Sequence, residues 1–110
     1  MLVVADSSPL ILLVNIGHID LLPTLFGDVI VPPEVFAELR QSNRPRAVRD
    51  LIASRPAWLV ERVPTAIEPI PALHAGEVAA ISLAQELKAD FWISHELLDE
   101  RLRLHLNRGH

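Results

Sequence analysis

The chain has 110 residues, half of them apolar, a formal net charge of −4 and no cysteine. This length indicates one domain, large enough to bury about two-thirds of the surface that the unfolded chain exposes. The absence of cysteine excludes disulfides and thiolate zinc sites and fits a reducing cytoplasm. The longest apolar stretch is too short to cross a bilayer, the first residues lack a signal-peptide pattern, and the acidic balance argues against a general nucleic-acid coat protein.

The first predicted strand ends where the first predicted helix begins, and Asp6 lies at that junction. Val3 to Ala5 form a short apolar run, which is typical of a strand buried on both faces. Pro9 starts a helical pattern. Proline is favoured at the first position of a helix, and serine or aspartate is favoured as the N-cap residue before that position. In an open α/β sheet, ligands bind at this edge. This position suggests that Asp6 belongs to a binding site. The alternative is that Asp6 or Ser8 only caps the helix, and the pattern alone leaves both interpretations open.

Apolar runs and amphipathic segments alternate along the chain. The apolar runs predict strands at residues 3–5, 29–31, 58–60 and 91–93. Apolar residues at helical spacing, bounded by glycine, proline and capping residues, predict helices at 9–15, 20–26, 34–41, 47–54, 76–87 and 94–107. Residues 64–71 hold three prolines and predict an irregular loop. This alternation predicts a single α/β domain with a mainly parallel sheet.

Three acidic residues that are distant in sequence occupy positions that suggest a metal site. Asp6 follows the first strand, Glu38 lies at the edge of an apolar stripe, and Glu77 opens the 76–87 helix. Glu77 is also explained by the helix dipole, and Glu38 by an exposed position near Arg40 or Arg44. If the fold brings all three within about 5 Å, each pair repels by about 3 kcal/mol at an effective dielectric near 20. A divalent cation removes that repulsion, and oxygen ligands select Mg²⁺ or Mn²⁺.

Basic residues are absent from residues 1–39 and concentrated soon afterwards. Five of the ten lie between residues 44 and 62, and the first three of these five, Arg44, Arg46 and Arg49, follow the Glu38 helix closely. An acidic centre with a basic flank suits an anionic polymer held beside a metal. The alternative is the solvated face of an ordinary helix, which any single arginine fits equally well.

Four segments of the chain form a specific pattern because they occur in a fixed order. They read Val-Ala-Asp-Ser-Ser-Pro-Leu-Ile at 4–11, Ile-Gly-His-Ile-Asp-Leu-Leu at 16–22, Val-Pro-Pro-Glu-Val-Phe-Ala-Glu-Leu at 31–39 and Ala-Gly-Glu-Val-Ala-Ala-Ile at 75–81. Together they resemble the PIN-domain family, in particular its poorly characterised prokaryotic branch. The resemblance implies one PIN-like domain over residues 1–110, built as a three-layer α/β/α sandwich. It further implies a metal-dependent ribonuclease related to the toxins of bacterial toxin–antitoxin pairs.

The resemblance also assigns roles to individual residues. Asp6, Glu38 and Glu77 match the acidic metal ligands of the family, which work with Mg²⁺ or Mn²⁺. Ser8 matches a small polar residue that could hold a water on the metal. RNA is then the substrate, with the arginines at 44, 46 and 49 binding the strand, and an antitoxin protein is an expected partner.

The C-terminal part departs from the family pattern. Members usually carry an acidic pair after the strand that follows the Glu77 helix, whereas this chain has Ser-His-Glu at 94–96. In one alignment Glu96 or Asp99 stands in as the fourth ligand. In the other, residues 87–100 resemble the usual ending of this branch, and the fourth-acid strand and the α/β unit after it are absent, so that the domain is reduced at its C-terminal end.

This departure leaves two functions open from the sequence. One is a Mg²⁺- or Mn²⁺-dependent endoribonuclease, and the other is a catalytically inactive PIN-like interaction or dimerisation module. The last predicted helix carries more leucine than one face needs, which suits a homodimer. Its leucines are Leu97, Leu98, Leu102, Leu104 and Leu106.

Overall fold

Strands and helices alternate through the part of the chain that the computed structural model describes, which comprises residues 2–67, 73 and 75–93. The strands are β1 (Val3–Ala5), β2 (Val29–Val31), β3 (Leu59–Glu61) and β4 (Phe91–Ile93). The helices are α1 (Ser7–Asn15), α2 (Leu21–Phe26), α3 (Pro33–Leu39), α4 (Arg46–Ser54) and α5 (Ala75–Leu87).

The four strands form one sheet in the order β3-β2-β1-β4, and every pair of neighbours is parallel. Val4 pairs with Ile30 on one side and with Trp92 on the other. Because the strands are parallel, the segments that follow β1 and β2 emerge at the same edge of the sheet. The predicted α/β fold is confirmed, and the described strands are parallel throughout.

The two faces of the sheet are covered by different helices, since successive strand residues point to opposite faces. On one face, Val3, Ala5 and their neighbours pack against apolar residues of α1, α2, α3 and α4. On the other, Val4 and Ile30 pack against Ala80 and Leu83 of α5. The arrangement is the three-layer α/β/α sandwich that the resemblance implied.

Several element boundaries differ from the sequence prediction by one or two residues, and the start of α1 has an identifiable reason. Helix α1 begins at Ser7 and not at Pro9, because Asp6 caps it one residue before Ser7. Pro9 then occupies the first turn, where its missing N–H costs no hydrogen bond. Strand β3 begins at Leu59, while the carbonyl oxygen of Trp58 accepts a hydrogen bond of 2.7 Å from the N–H of Val29.

Several predictions concern residues outside the described part of the chain. These are the helix at 94–107, the candidate fourth ligands Glu96 and Asp99, and the leucines of the suggested dimer contact. The reduced C-terminal end and the dimer therefore remain predictions.

In the part of the chain that the structure describes, no helix has the length and apolar character that crossing a membrane requires.

Candidate active site

A cavity of about 550 Å³ lies at the edge of the sheet where α1 begins and α3 ends. It contains three carboxylates, two serine hydroxyls, one amide side chain and one guanidinium. Its lining residues are Asp6, Ser7, Ser8, Ile11, Glu38, Gln41, Arg44, Ala75 and Glu77. The structure thus brings Asp6, Glu38 and Glu77 to one cavity from three separate parts of the chain.

Asp6 is a buried carboxylate, only 7% exposed, at the junction of β1 and α1. Its Oδ1 accepts a hydrogen bond of 2.7 Å from the N–H of Ser7, which makes it the N-cap of α1. Burial raises the pKa of Asp6, the Ser7 N–H opposes that rise, and the charges of Glu77 and Glu38 add to it. The balance is an upward shift in pKa, so the cavity is electrostatically unfavourable for a third negative charge.

Glu38, near the end of α3, has both carboxylate oxygens engaged by other segments. The hydroxyl of Ser7 donates to Oε2 at 2.7 Å, and the backbone N–H of Gly76 donates to Oε1 at 2.9 Å. Ser7 belongs to the first turn of α1 and Gly76 to the first turn of α5. One carboxylate therefore joins three helices at the cavity.

Gly76 lies so close to Glu38 that a side chain has no room there. A Cβ atom built at position 76 would lie 2.1 Å from Oε1 and 2.9 Å from Oε2 of Glu38. Real Cβ contacts do not occur below 3.0 Å. A larger residue at position 76 would therefore require the carboxylate of Glu38 to move.

Glu77 and Ser8 face the cavity without a fixed partner among the described residues. Glu77 is half-buried in the first turn of α5, where the helix dipole favours a negative charge. Ser8 is exposed and lines the cavity. Both are accessible to a ligand.

The three candidate arginines are placed differently. Arg44 lines the cavity and donates from Nε to the backbone carbonyl oxygen of Glu38 at 3.2 Å. Arg46 is 88% exposed on α4 and lies 3.8 Å from the carboxylate of Asp50, and Arg49 is also exposed on α4. The structure therefore brings Arg44 to the carboxylates, whereas Arg46 and Arg49 do not line the cavity.

The donor set fits a hard divalent cation in its chemistry. It offers carboxylate and hydroxyl oxygens, which are the ligands that Mg²⁺ and Mn²⁺ prefer. Burial raises the pKa of Asp6 most and repulsion from Glu77 and Glu38 adds to the rise, and a bound cation would offset that repulsion. Among the residues that the structure describes, however, no three His, Cys, Asp or Glu side chains are arranged to hold one ion as they stand. Both carboxylate oxygens of Glu38 accept hydrogen bonds in this arrangement, from Ser7 and from Gly76.

Sequence reasoning assigned no role to Ser7 and Gln41, which line this cavity, or to Gly76, which donates a hydrogen bond to Glu38. Gln41 and Arg44 follow Glu38 at three-residue intervals, and the turn between them is closed by the N–H of Arg44 donating to the carbonyl oxygen of Gln41 at 3.0 Å. That spacing was a usable signal for Gln41. The contacts of Ser7 and Gly76 with Glu38 span the chain and leave no local pattern.

A family model described as "DUF3368: PIN domain" matches residues 2–102. No curated protein and no solved structure gives a significant match to the chain. The match extends over most of the sequence and agrees with the parallel three-layer fold. The chain belongs to the PIN-domain family.

Proposed function

We propose that this PIN domain is an endoribonuclease that depends on Mg²⁺ or Mn²⁺. The observation that carries the proposal is the convergence of Asp6, Glu38 and Glu77 on one cavity, where burial and the charges of the two glutamates raise the pKa of Asp6. Family membership supports a nuclease-type fold. Three buried or half-buried carboxylates are costly for a merely structural site, because each must be offset by a partner.

The residues would divide the work by the partners they already have. Asp6 and Glu77 would supply the carboxylates that bind the cation, because both oxygens of Glu38 accept hydrogen bonds from the protein, and the Ser8 hydroxyl lines the same cavity. A bound divalent cation lowers the pKa of a coordinated water and offsets charge on a phosphodiester. The protein itself must hold the carboxylates ionised and close, and it must bind the phosphate beside them.

Arg44 is the residue in the cavity suited to binding that phosphate. Its Nε is used in the hydrogen bond to the Glu38 carbonyl, and among the described ion pairs it has no carboxylate partner. The two terminal amino groups of the guanidinium thus remain for phosphate oxygens, which arginine binds in a bidentate manner. Arg46 and Arg49 would act farther along an RNA strand, by charge alone.

The direct test is RNA cleavage in the presence of Mn²⁺ by Asp6→Asn and Glu77→Gln. We expect each variant to lose activity by about 100-fold or more, the scale on which metal sites respond to changes in their ligands and supporting groups. Asn is preferred over Ala at position 6, because Asp6 caps α1 and removal of a cap costs about 1 kcal/mol of stability.

The matched control is Asp20→Asn, since Asp20 is exposed and its side chain makes no cap hydrogen bond. This control should cleave RNA at the wild-type rate. Cleavage by Asp6→Asn and Glu77→Gln at the rate of Asp20→Asn would end the nuclease proposal.

A second candidate is a catalytically inactive interaction module. It is favoured by one observation, namely that both oxygens of Glu38 are already occupied by Ser7 and Gly76. Calorimetric titration with Mn²⁺ separates the two candidates, because an inactive module needs no cation. In either case an antitoxin-like partner and a homodimer stay predictions, to be tested by co-purification and by sedimentation over a range of concentrations.

A further inference from the structure

We infer that Glu38 is a positioning residue whose carboxylate, held by Ser7 and Gly76, fixes the first turns of α1 and α5 so that Asp6 and Glu77 face one cavity. The inference deepens the proposed nuclease function. It rests on that function only in assigning Asp6 and Glu77 to the binding of the cation. Glu38 then acts mainly on the protein and Asp6 and Glu77 on the cation.

The geometry separates two roles that a site carboxylate can have. The two donors to Glu38 come from residues 31 positions before it and 38 positions after it, one to each oxygen. Each donor lies beside a candidate ligand, since Ser7 follows Asp6 and Gly76 precedes Glu77. A movement of Glu38 would therefore shift both neighbouring carboxylates.

The close approach at Gly76 shows how tightly the carboxylate is packed. The atoms of the Glu38 carboxylate occupy the space in which a Cβ at position 76 would lie. A glutamate that served only as a ligand would have no need of such an approach to the backbone of another helix.

In the metal-free protein, the negative charge of Glu38 has two opposing effects on stability. Glu38, Glu77 and Asp6 line one cavity, so removal of either glutamate charge relieves repulsion among the three carboxylates. For Glu38 that gain is opposed, because hydrogen bonds to a charged acceptor are strong ones. An amide at position 38 offers one acceptor, and its NH₂ group faces the donor that the other oxygen had bound.

The first experiment compares the melting temperatures of Glu38→Gln and Glu77→Gln in EDTA. We expect Glu38→Gln to melt about 4–8 °C below wild type, as a domain of this size does for one lost interaction. Glu77→Gln should melt at or above wild type, since it loses repulsion and no recorded hydrogen bond. A Glu38→Gln protein as stable as wild type, or more stable, would overturn the inference.

The second experiment titrates Mn²⁺ into Ser7→Ala, which removes a donor to Glu38 but no carboxylate. We expect Mn²⁺ affinity to fall about tenfold, as for other residues that support metal ligands. If Ser7 only competed with the cation for Glu38, its removal would strengthen Mn²⁺ binding. Unchanged or tighter binding therefore contradicts the inference.

The two proposals fail separately in these experiments. Should wild-type protein bind no Mn²⁺ and cleave no RNA, the nuclease proposal fails, and the melting temperatures in EDTA still decide the role of Glu38. Should wild type cleave RNA while Glu38→Gln keeps its melting temperature, the nuclease proposal stands and the positioning role is wrong.

Discussion

The two faces of the sheet are packed very differently within the described residues. One face is covered by four helices whose apolar residues form a continuous core with Val3, Ala5, Val29, Val31, Leu59 and Ile93. The other is covered by α5, whose Ala80 and Leu83 form a small cluster with Val4 and Ile30. We call these the large layer and the small layer.

The candidate active site takes residues from both layers. Asp6 caps α1 on the large-layer side, Ser7 and Glu38 belong to α1 and α3 of the large layer, and Gly76 and Glu77 belong to α5 of the small layer. The large layer is held by extensive apolar burial. The small layer has less of it, so polar contacts such as that of Glu38 with Gly76 carry a greater share of its attachment. Precision at the site therefore depends on the join between the layers.

The largest expected difference between the layers is in the cost of a core truncation. Leu13 and Leu83 are both fully or almost fully buried, the first in the large layer and the second in the small. Leucine-to-alanine changes cost about 2–5 kcal/mol according to how well the site can collapse. We expect Leu13→Ala near the top of that range and Leu83→Ala near the bottom, measured by urea unfolding. Equal costs would show that the two layers are equally well packed.

The next effect tests the join itself through Gly76→Ala. Within a helix, alanine is normally about 1 kcal/mol more favourable than glycine. Here the new Cβ meets the carboxylate of Glu38, so we expect a loss of about 1–3 kcal/mol in the free energy of unfolding, as for other overpacked sites.

The control for this prediction is the same change in a Glu38→Ala background. With the carboxylate gone, alanine at position 76 should regain its ordinary advantage, and the double-mutant cycle should be strongly non-additive. Additive effects would show that Gly76 is small for some reason other than Glu38.

The sequence was sufficient for features that local patterns determine. Short apolar runs gave the strands, and the junction of strand and helix placed Asp6 at the edge where the cavity lies. The contacts of Glu38 could not be predicted in this way, because its donors are far away in sequence and depend on how α1, α3 and α5 pack. For the same reason the sequence could not separate Arg44 from Arg46 and Arg49.

A third, smaller effect concerns the pH dependence of the metal-free protein. Because the pKa of Asp6 is raised in the folded state, folding costs more as pH rises from its ordinary value of 3.8 through the raised value. Asp6→Asn keeps an acceptor for the Ser7 N–H and removes the charge. We therefore expect this variant to be more stable than wild type in EDTA at pH 7 and to lose that advantage below about pH 4.

Chemical denaturation in EDTA at several pH values measures this difference. Saturating Mn²⁺ should reverse the order at pH 7, since a cation stabilises the form that binds it. An Asp6→Asn protein that is less stable than wild type at every pH would mean that the cap depends on the charge, and that repulsion from the glutamates is unimportant.

The smallest expected effect lies at the far end of the small layer, where Glu86 of α5 binds the segment after β3. The carboxylate of Glu86 accepts hydrogen bonds from the N–H of Thr65 at 2.9 Å and from its hydroxyl at 2.5 Å. These bonds lower the pKa of Glu86, so their contribution to stability is present above the ordinary pKa of 4.5 and is lost as pH falls through the lowered pKa.

The contact between Glu86 and Thr65 is exposed, and we expect Glu86→Gln to leave the unfolding midpoint nearly unchanged. Hydrogen exchange at the Thr65 amide should nevertheless become faster near neutral pH, because a glutamine oxygen cannot satisfy both donors in the same way. If exchange at Thr65 is as slow in Glu86→Gln as in wild type, this end of α5 is held by its apolar contacts. The contact of Glu38 with Gly76 would then be the one polar contact, of the two tested here, that attaches α5.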